Sequence, residues 1–295
     1  MPNAITLAKS YVPTLDEVYK LASLSAVLTS DQGLAQPGAK ANEILIPKIS
    51  MGGLGDYSRS NGYASGDVSV DWESVQFNFD RGRKFVVDVE DDEETINVAF
   101  GRLGAEFMRT KVAPEVDAFT FAKLSGEAGT KVTGTLSSGT DVTAALTVAQ
   151  STMDEAEVPT EGRILFITPT LLNSIEALDT IKSREMLASF SQIIKVPQSR
   201  FYTAIDQLDG TTSGEEAGGY VKHVSTGGAD AAGADINFLV AHPSAVIKFS
   251  KRVVGNVIPP ELNADSDGYI LKFREYDLVD VFENKTKGVY VHAKA

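Results

Sequence analysis

Apolar positions along this chain change period several times, and each change marks a new element. In the first segment Leu15, Val18, Leu21 and Leu24 fall near helical spacing, which predicts an amphipathic helix from Thr14 to Leu28. The following DQGLAQPGAKAN has no period and reads as an extended linker. From Glu43 the pattern turns strand-like. EILIPKI is apolar on both faces, and Pro47, which lacks an N–H, places the strand at a sheet edge. VSVDWESVQFNF reads as its partner. There Val68, Val70 and Trp72 share one parity while Val75, Phe77 and Phe79 share the other, so a bulge near Glu73 or Ser74 is expected to restore one apolar face. The connecting MGGLGDYSRSNGYASG holds five glycines and no core-forming pattern, which makes the unit a long hairpin with a mobile tip.

After the alternating KFVVDV, helical period begins. Ile96, Phe100, Leu103 and Phe107 are continued by Met108, Val112, Val116 and Phe119, which predicts a helix from Asp92 to Leu124, roughly 50 Å long at 1.5 Å per residue. Pro114 is expected to bend or interrupt it. Asp141 to Ala156 predicts a second amphipathic helix with Val142, Leu146 and Met153 inward. Two similar units follow, Arg163-ILFIT-Pro169-TLLNSIEAL and Ile236-NFLVAH-Pro243-SAVIKF. Each reads as a buried strand running into a helix with proline at its first position and Thr168 or His242 as cap. YILKFREYDLVDVFEN and GVYVH predict closing strands that return to an earlier sheet.

Charge alters this picture at one place. From Asp88 to Glu94 every residue except Val89 is acidic, just after Arg81, Arg83 and Lys84. Asp91, Asp92, Glu93 and Glu94 lie where the unpaired amides and positive dipole end of the long helix would be, an arrangement worth a few tenths of a kcal/mol to about 1 kcal/mol per charge. A calcium loop counted from Asp88 would need Gly where Glu93 stands and a bidentate Glu where Ala99 stands. The run is therefore a helix start, and the three basic residues are read as ion-paired within or between subunits.

The 295 residues, 43% of them hydrophobic, can bury a sizeable core in two or more lobes. A net charge of -13 repels phosphate and anionic lipid, which argues against nucleic-acid recognition and membrane binding. Cysteine is absent, no apolar run is long enough to cross a bilayer, and the N-terminus lacks a secretion pattern, so a soluble, unsecreted protein is expected. His223, His242 and His292 have no zinc spacing, and no nucleophile elbow, phosphate loop or metalloprotease motif occurs. The expectation is a protein that is not an enzyme, with no cofactor and no metal. The hairpin is too thin to hold a core, so the face carrying Trp72, Phe77 and Phe79 is expected to need another surface, another subunit included, with Arg81 and Arg83 in the same inter-subunit contact.

The order of parts resembles the major capsid protein of tailed bacteriophages, the Hong Kong-type shell fold. The stretches that carry the resemblance are NAITLAKSYVPTLDEVYK, DRGRKFVVDVEDDEET leading into AFGRLGAEFMRTKVAPEVDAF, RILFITPTLL and KVPQSRFYTAID. It implies an α+β fold with an N-terminal arm (1–41), an extended hairpin loop (42–87), a peripheral domain with a spine helix (88–165), an α/β axial domain (166–255) and returning strands (256–295). It also implies self-assembly into hexamers and pentamers of an icosahedral shell around double-stranded DNA, contacted without sequence preference. About forty residues precede the loop, where some family members carry a long cleaved scaffolding segment, so the resemblance implies either a separate scaffolding protein or a chain that is already mature, together with a portal. The expected location is the virion capsid, assembled in the host bacterial cytoplasm. An encapsulin-like protein compartment is the alternative of the same architecture, and an enzyme with an unrecognised carboxylate site is the alternative of another class.

Overall fold

The computed structural model describes residues 23–29, 36–37, 43–60, 62–90, 104, 106–227, 231–264 and 266–295. Of the Thr14–Leu28 helix expected from sequence, only the end falls among them, and it is a 3-10 turn at Ser25–Leu28. Its amides bond to a carboxylate from elsewhere in the chain, which fixes a tighter turn than an amphipathic helix would take.

Strands β1 (Gln36–Pro37), β2 (Glu43–Met51) and β3 (Val68–Gln76) form the first sheet, in that order. The β2–β3 register runs unbroken from Glu43 opposite Gln76 to Met51 opposite Val68, so the expected bulge near Glu73 or Ser74 is absent. The parity change is accommodated instead by a break in the strand. β3 stops at Gln76, and β4 (Phe79–Asp88) begins in a different sheet. Between them Asn78 substitutes for backbone: its Nδ2 donates to the Val279 carbonyl at 2.6 Å, and its Oδ1 accepts from the Val279 N–H at 3.1 Å. Among the described residues β1 flanks β2 only at Ile44 and Leu45, so no described strand asks for a ladder donor from Pro47 on that side.

Asp88 Oδ1 accepts from Glu90 N at 3.0 Å, and Val89 and Glu90 are helical, so the chain leaves β4 through an aspartate cap. Asp91 to Glu94, and the helix expected from Asp92 as far as residue 103, lie outside the described residues. From Glu106 the chain is helical. A π-helical turn at Met108–Val112 leads directly into α1 (Ala113–Glu127), with Pro114 at its second position. Proline removes one amide from the ladder, and the wider turn before it absorbs that loss without ending the helix. Phe107 packs between Phe85 and Phe273, and Phe119 against Phe79, which seats this helix on β4 and its neighbour.

Next come β5 (Thr130–Thr133), α2 (Gly139–Glu155), β6 (Ile164–Ile167), α3 (Pro169–Glu176), α4 (Ile181–Ala188), β7 (Gln192–Lys195), and the hairpin β8 (Ile205–Leu208) with β9 (Gly219–Lys222). Helix α2 starts in a reciprocal capping box between Ser138 and Asp141 and buries Val142, Leu146 and Met153. The unit β6–α3 follows the sequence pattern, with Pro169 first in the helix and Thr168 at the cap position, although the Thr168 side chain makes no capping bond.

The second unit departs from expectation. β10 (Ile236–Ala241) is fully buried and His242 Nδ1 accepts from Ser244 N, but Pro243 starts only a 3-10 turn to Ala245. The expected helix is instead β11 (Val246–Ile258). β-Branched Val246 and Ile247 favour strand, and β12 (Gly268–Val281) pairs with them along nearly its whole length. β13 (Val289–Ala293) closes the chain.

Two sheets organise the body. β11, β12 and β4 are antiparallel in that order, while β5, β13, β10, β6 and β7 form a mixed sheet with parallel pairs at both ends. The five-stranded sheet is buried on both faces. Leu165, Ile167, Phe238 and Tyr290 meet Val142, Leu146 and Met153 on one side. Phe166, Leu239 and Val291 meet Phe121, Leu124, Phe201 and Leu28 on the other. Leu28, from the N-terminal segment, is thus a core residue of the lobe.

Candidate assembly surfaces

Residues opposite one another in an antiparallel pair share a face, so the β2–β3 register divides the hairpin cleanly. Ile44, Ile46 and Val75 lie on one face and pack against Ile247 and Leu278 of the body, with Phe77, Phe249 and Phe282 around them. Farther out on that face Lys48 Nζ pairs with Glu283 at 2.8 Å. The hairpin therefore leaves the body at a fixed angle.

The opposite face carries Leu45, Pro47, Ile49, Met51, Val68, Val70 and Trp72. It is exposed: Ile49 is 58%, Met51 70%, Val68 69%, Val70 54% and Trp72 50% accessible. Covering the open half of five such side chains would contribute roughly 1 kcal/mol each, about 5 kcal/mol before the cost of ordering a contact. Residues from Gly52 to Asp67 form a tip with no buried side chain among those described. Leu54 is fully exposed, and Tyr57 packs at a tilt on Tyr63, with ring centroids 4.9 Å apart.

The five residues expected at an inter-subunit contact are not brought together. Trp72 is on the exposed face. Phe77 stacks on Tyr276 at 4.7 Å, and Phe79 is buried against Phe119, because the strand break moves both into the body. Arg81 Nε bonds to Glu115 at 2.7 Å and its Nη2 to the carbonyls of Leu208 and Gly219, while Arg83 Nη2 bonds to the Glu216 carbonyl at 2.9 Å. These arginines hold the β8–β9 hairpin against β4. The expectation of one face made by Trp72, Phe77 and Phe79 is thus corrected: the face belongs to Trp72 and its cross-strand neighbours.

No protein-family model matches the sequence, and no curated protein matches it. Solved structures do. A capsid structure of the cyanophage P-SCSP1u matches with a TM-score of 0.68 and 14% identity, over 98% of this chain and 93% of that one. The mature capsid of bacteriophage PhiM1 matches with 0.67 and 13%, over 98% and 92%, and a Mycobacterium phage Che8 structure with 0.58 and 18%, over 99% and 96%. The chain has the phage capsid fold.

Beyond the hairpin, this capsid fold contains a buried polar cluster that sequence reasoning missed. The Asp117 carboxylate on α1 is inaccessible and accepts five hydrogen bonds, from Ser23 Oγ, Leu24 N, Ser25 N, Ser25 Oγ and Arg200 Nη1, at 2.7 to 3.0 Å. Lys248 Nζ donates to Ser25 Oγ at 2.6 Å, and burial lowers its pKa against the opposing pull of Asp117, Asp277 and Glu275. The sequence signal was present. Asp117 interrupts the apolar run around Val116, Phe119 and Phe121, and Glu275 and Asp277 have the parity of the buried Phe273 and Val279. Among the described residues no group of three metal-ligating side chains occurs, and the histidines lie apart: His223 bonds to Asp206 at 2.6 Å, His242 to Ser244 and to the Glu161 carbonyl, and His292 to Asn237 at 3.0 Å.

Proposed function

We propose that this chain is a major capsid protein, which assembles in many copies into hexamers and pentamers of a closed icosahedral shell around the double-stranded DNA of a tailed phage. The observation that carries the reading is the hairpin with two apolar faces, one fixed to its own body and the other left in solvent. A monomer gains nothing from such an arm, whereas a neighbouring copy that covers the Trp72 face gains apolar burial at every repeat of the symmetry. The whole-chain likeness to phage capsid structures supports the same reading.

In this reading residues 1–41 are the arm and 42–87 the extended loop. Residues 88–165 form the peripheral domain, 166–255 the axial domain, and 256–295 the returning strands. A separate scaffolding protein and a portal complete assembly in the bacterial cytoplasm. The charge of -13 suits a wall that contains DNA without adsorbing it. Electron microscopy and size-exclusion chromatography of the expressed chain test the proposal. Closed shells are expected, and a monodisperse monomer or dimer under all assembly conditions would overturn it. Shells that enclose a protein cargo in place of DNA would favour a compartment of the encapsulin kind.

A further inference from the structure

Glu275 and Asp277 stand two residues apart on β12, on the sheet face that α1 covers, and both are buried. Their side chains are next neighbours on that face, and Asp277 Oδ1 is buried with no hydrogen-bond partner among the described residues. Two neighbouring buried carboxyl groups, one with an oxygen that no donor reaches, do not both carry a charge readily, so a retained proton is favoured there. The charges around them agree. Arg81 stands directly across from Glu275 on β4, Lys248 approaches from β11, Glu115 and Asp117 from α1, and Arg200 from the turn Gln198–Arg200. Arg252 and Arg274 share the other side of this sheet with Tyr276, whose ring lies under Lys251. Three cations therefore face four carboxyl groups, and one retained proton makes the cluster neutral.

We propose that Glu275, beside Asp277, keeps a proton whose loss loosens the body's grip on Ser23–Thr29, making this cluster a proton-controlled latch for that segment. Lys248 is the link. With the proton in place its ammonium donates to Ser25 Oγ, which itself donates to Asp117. Without the proton the acidic pair carries a second negative charge, draws the ammonium away from Ser25, and leaves excess charge beside the Asp117 clamp. Burial, reinforced by the Asp277 contact, raises the Glu275 pKa to about 8, so the latch opens in the mildly alkaline range. The sign follows from linkage. The closed state holds a proton that an opened, hydrated state releases, so closure weakens as pH rises toward 8 and levels off above it. The latch belongs to the single chain and does not depend on whether shells form.

The test is amide hydrogen exchange of the full-length chain between pH 6 and pH 9, corrected for intrinsic rates, at Leu24 and Ser25, with Leu165 and Leu239 in the central sheet as references. Protection at Leu24 and Ser25 is expected to fall at least about tenfold, and up to about a hundredfold, while the references stay level, since full hydration of the group would give about tenfold per pH unit over the two units from pH 6 to about 8. Glu275→Gln, which keeps the neutral form, is expected to be flat, and Asp277→Asn to move the fall to lower pH. Constant protection in the wild type overturns the proposal even if neither variant folds. An unchanged slope in a folded Glu275→Gln variant overturns it as well.

Discussion

Pro47 stands directly opposite Trp72 across the hairpin, on the face that no part of the described chain covers. An indole beside a rigid pyrrolidine offers flat apolar area at little entropic cost, a good centre for a contact. Replacing Trp72 and Val70 together by serine is expected to change the unfolding free energy of the dissociated chain by less than about 1 kcal/mol, because both are exposed. Shell yield measured by sedimentation is expected to collapse. Ile46→Ala, on the opposite face, should do the reverse first, costing about 2–4 kcal/mol of chain stability in urea. A Trp72 and Val70 double variant that assembles normally would remove the assigned role of that face.

Removing the Asp117 carboxylate is expected to be far costlier than its lone position in the sequence suggests. Asp117→Ala leaves the Arg200 guanidinium buried without its counter-charge and strips the Leu24 and Ser25 amides of their acceptor. A loss of about 3–5 kcal/mol is expected in denaturant unfolding. Asp117→Asn keeps the shape and one acceptor oxygen, and should recover part of it. A loss below about 1 kcal/mol in the alanine variant would contradict the clamp.

Gly129 joins α1 to β5 where the chain passes the Thr286 backbone, and its N–H donates to the Thr286 carbonyl at 2.9 Å. A Cβ there would come within 2.6 Å of that carbonyl. Gly129→Ala is therefore expected to cost about 1–3 kcal/mol by forcing backbone apart, seen as a lower urea midpoint at unchanged slope. A neutral substitution would show that the connection yields without strain.

Burial holds the His292 pKa below its ordinary 6.5, and the ring stacks on Phe238 while bonding to Asn237. The folded state thus prefers the neutral ring. Its contribution to stability is complete above about pH 6.5 and is lost as pH falls through the lower folded value. The ring proton resonances of His292 are expected to titrate with a midpoint under 6.5; a midpoint above it would mean that the imidazolium is stabilised in the fold.

Local chemistry was legible where period and punctuation agreed. The Val142, Leu146 and Met153 stripe specifies α2, and Pro169 after a buried strand specifies α3. Pro243 offered the same punctuation and misled, because the β-branched Val246 and Ile247 follow it and β12 supplied their partners far along the sequence, at Val281 and Asp280. The hairpin's parity conflict was also visible, but a bulge and a strand break satisfy it equally. The choice was made by Val279, which offers both of its backbone groups to Asn78. The buried acidic pair was hidden for a related reason: charged residues at inward parity read as surface until the helix that covers them is placed.

The joint at Asn78 has a consequence for a wall built from one repeated part. Pieces of a closed polyhedron sit at unequal tilts around its corners and flats, so a limb that crosses to the next piece must be re-aimed from place to place. Ladder bonds resist that in proportion to their number. At Asn78 only the two hydrogen bonds of one amide side chain bridge the break, so the aim of this limb is set by the Ile44, Ile46 and Val75 packing and the Lys48 pair. Re-aiming it would have to slide that apolar contact while the sheets on either side stay intact.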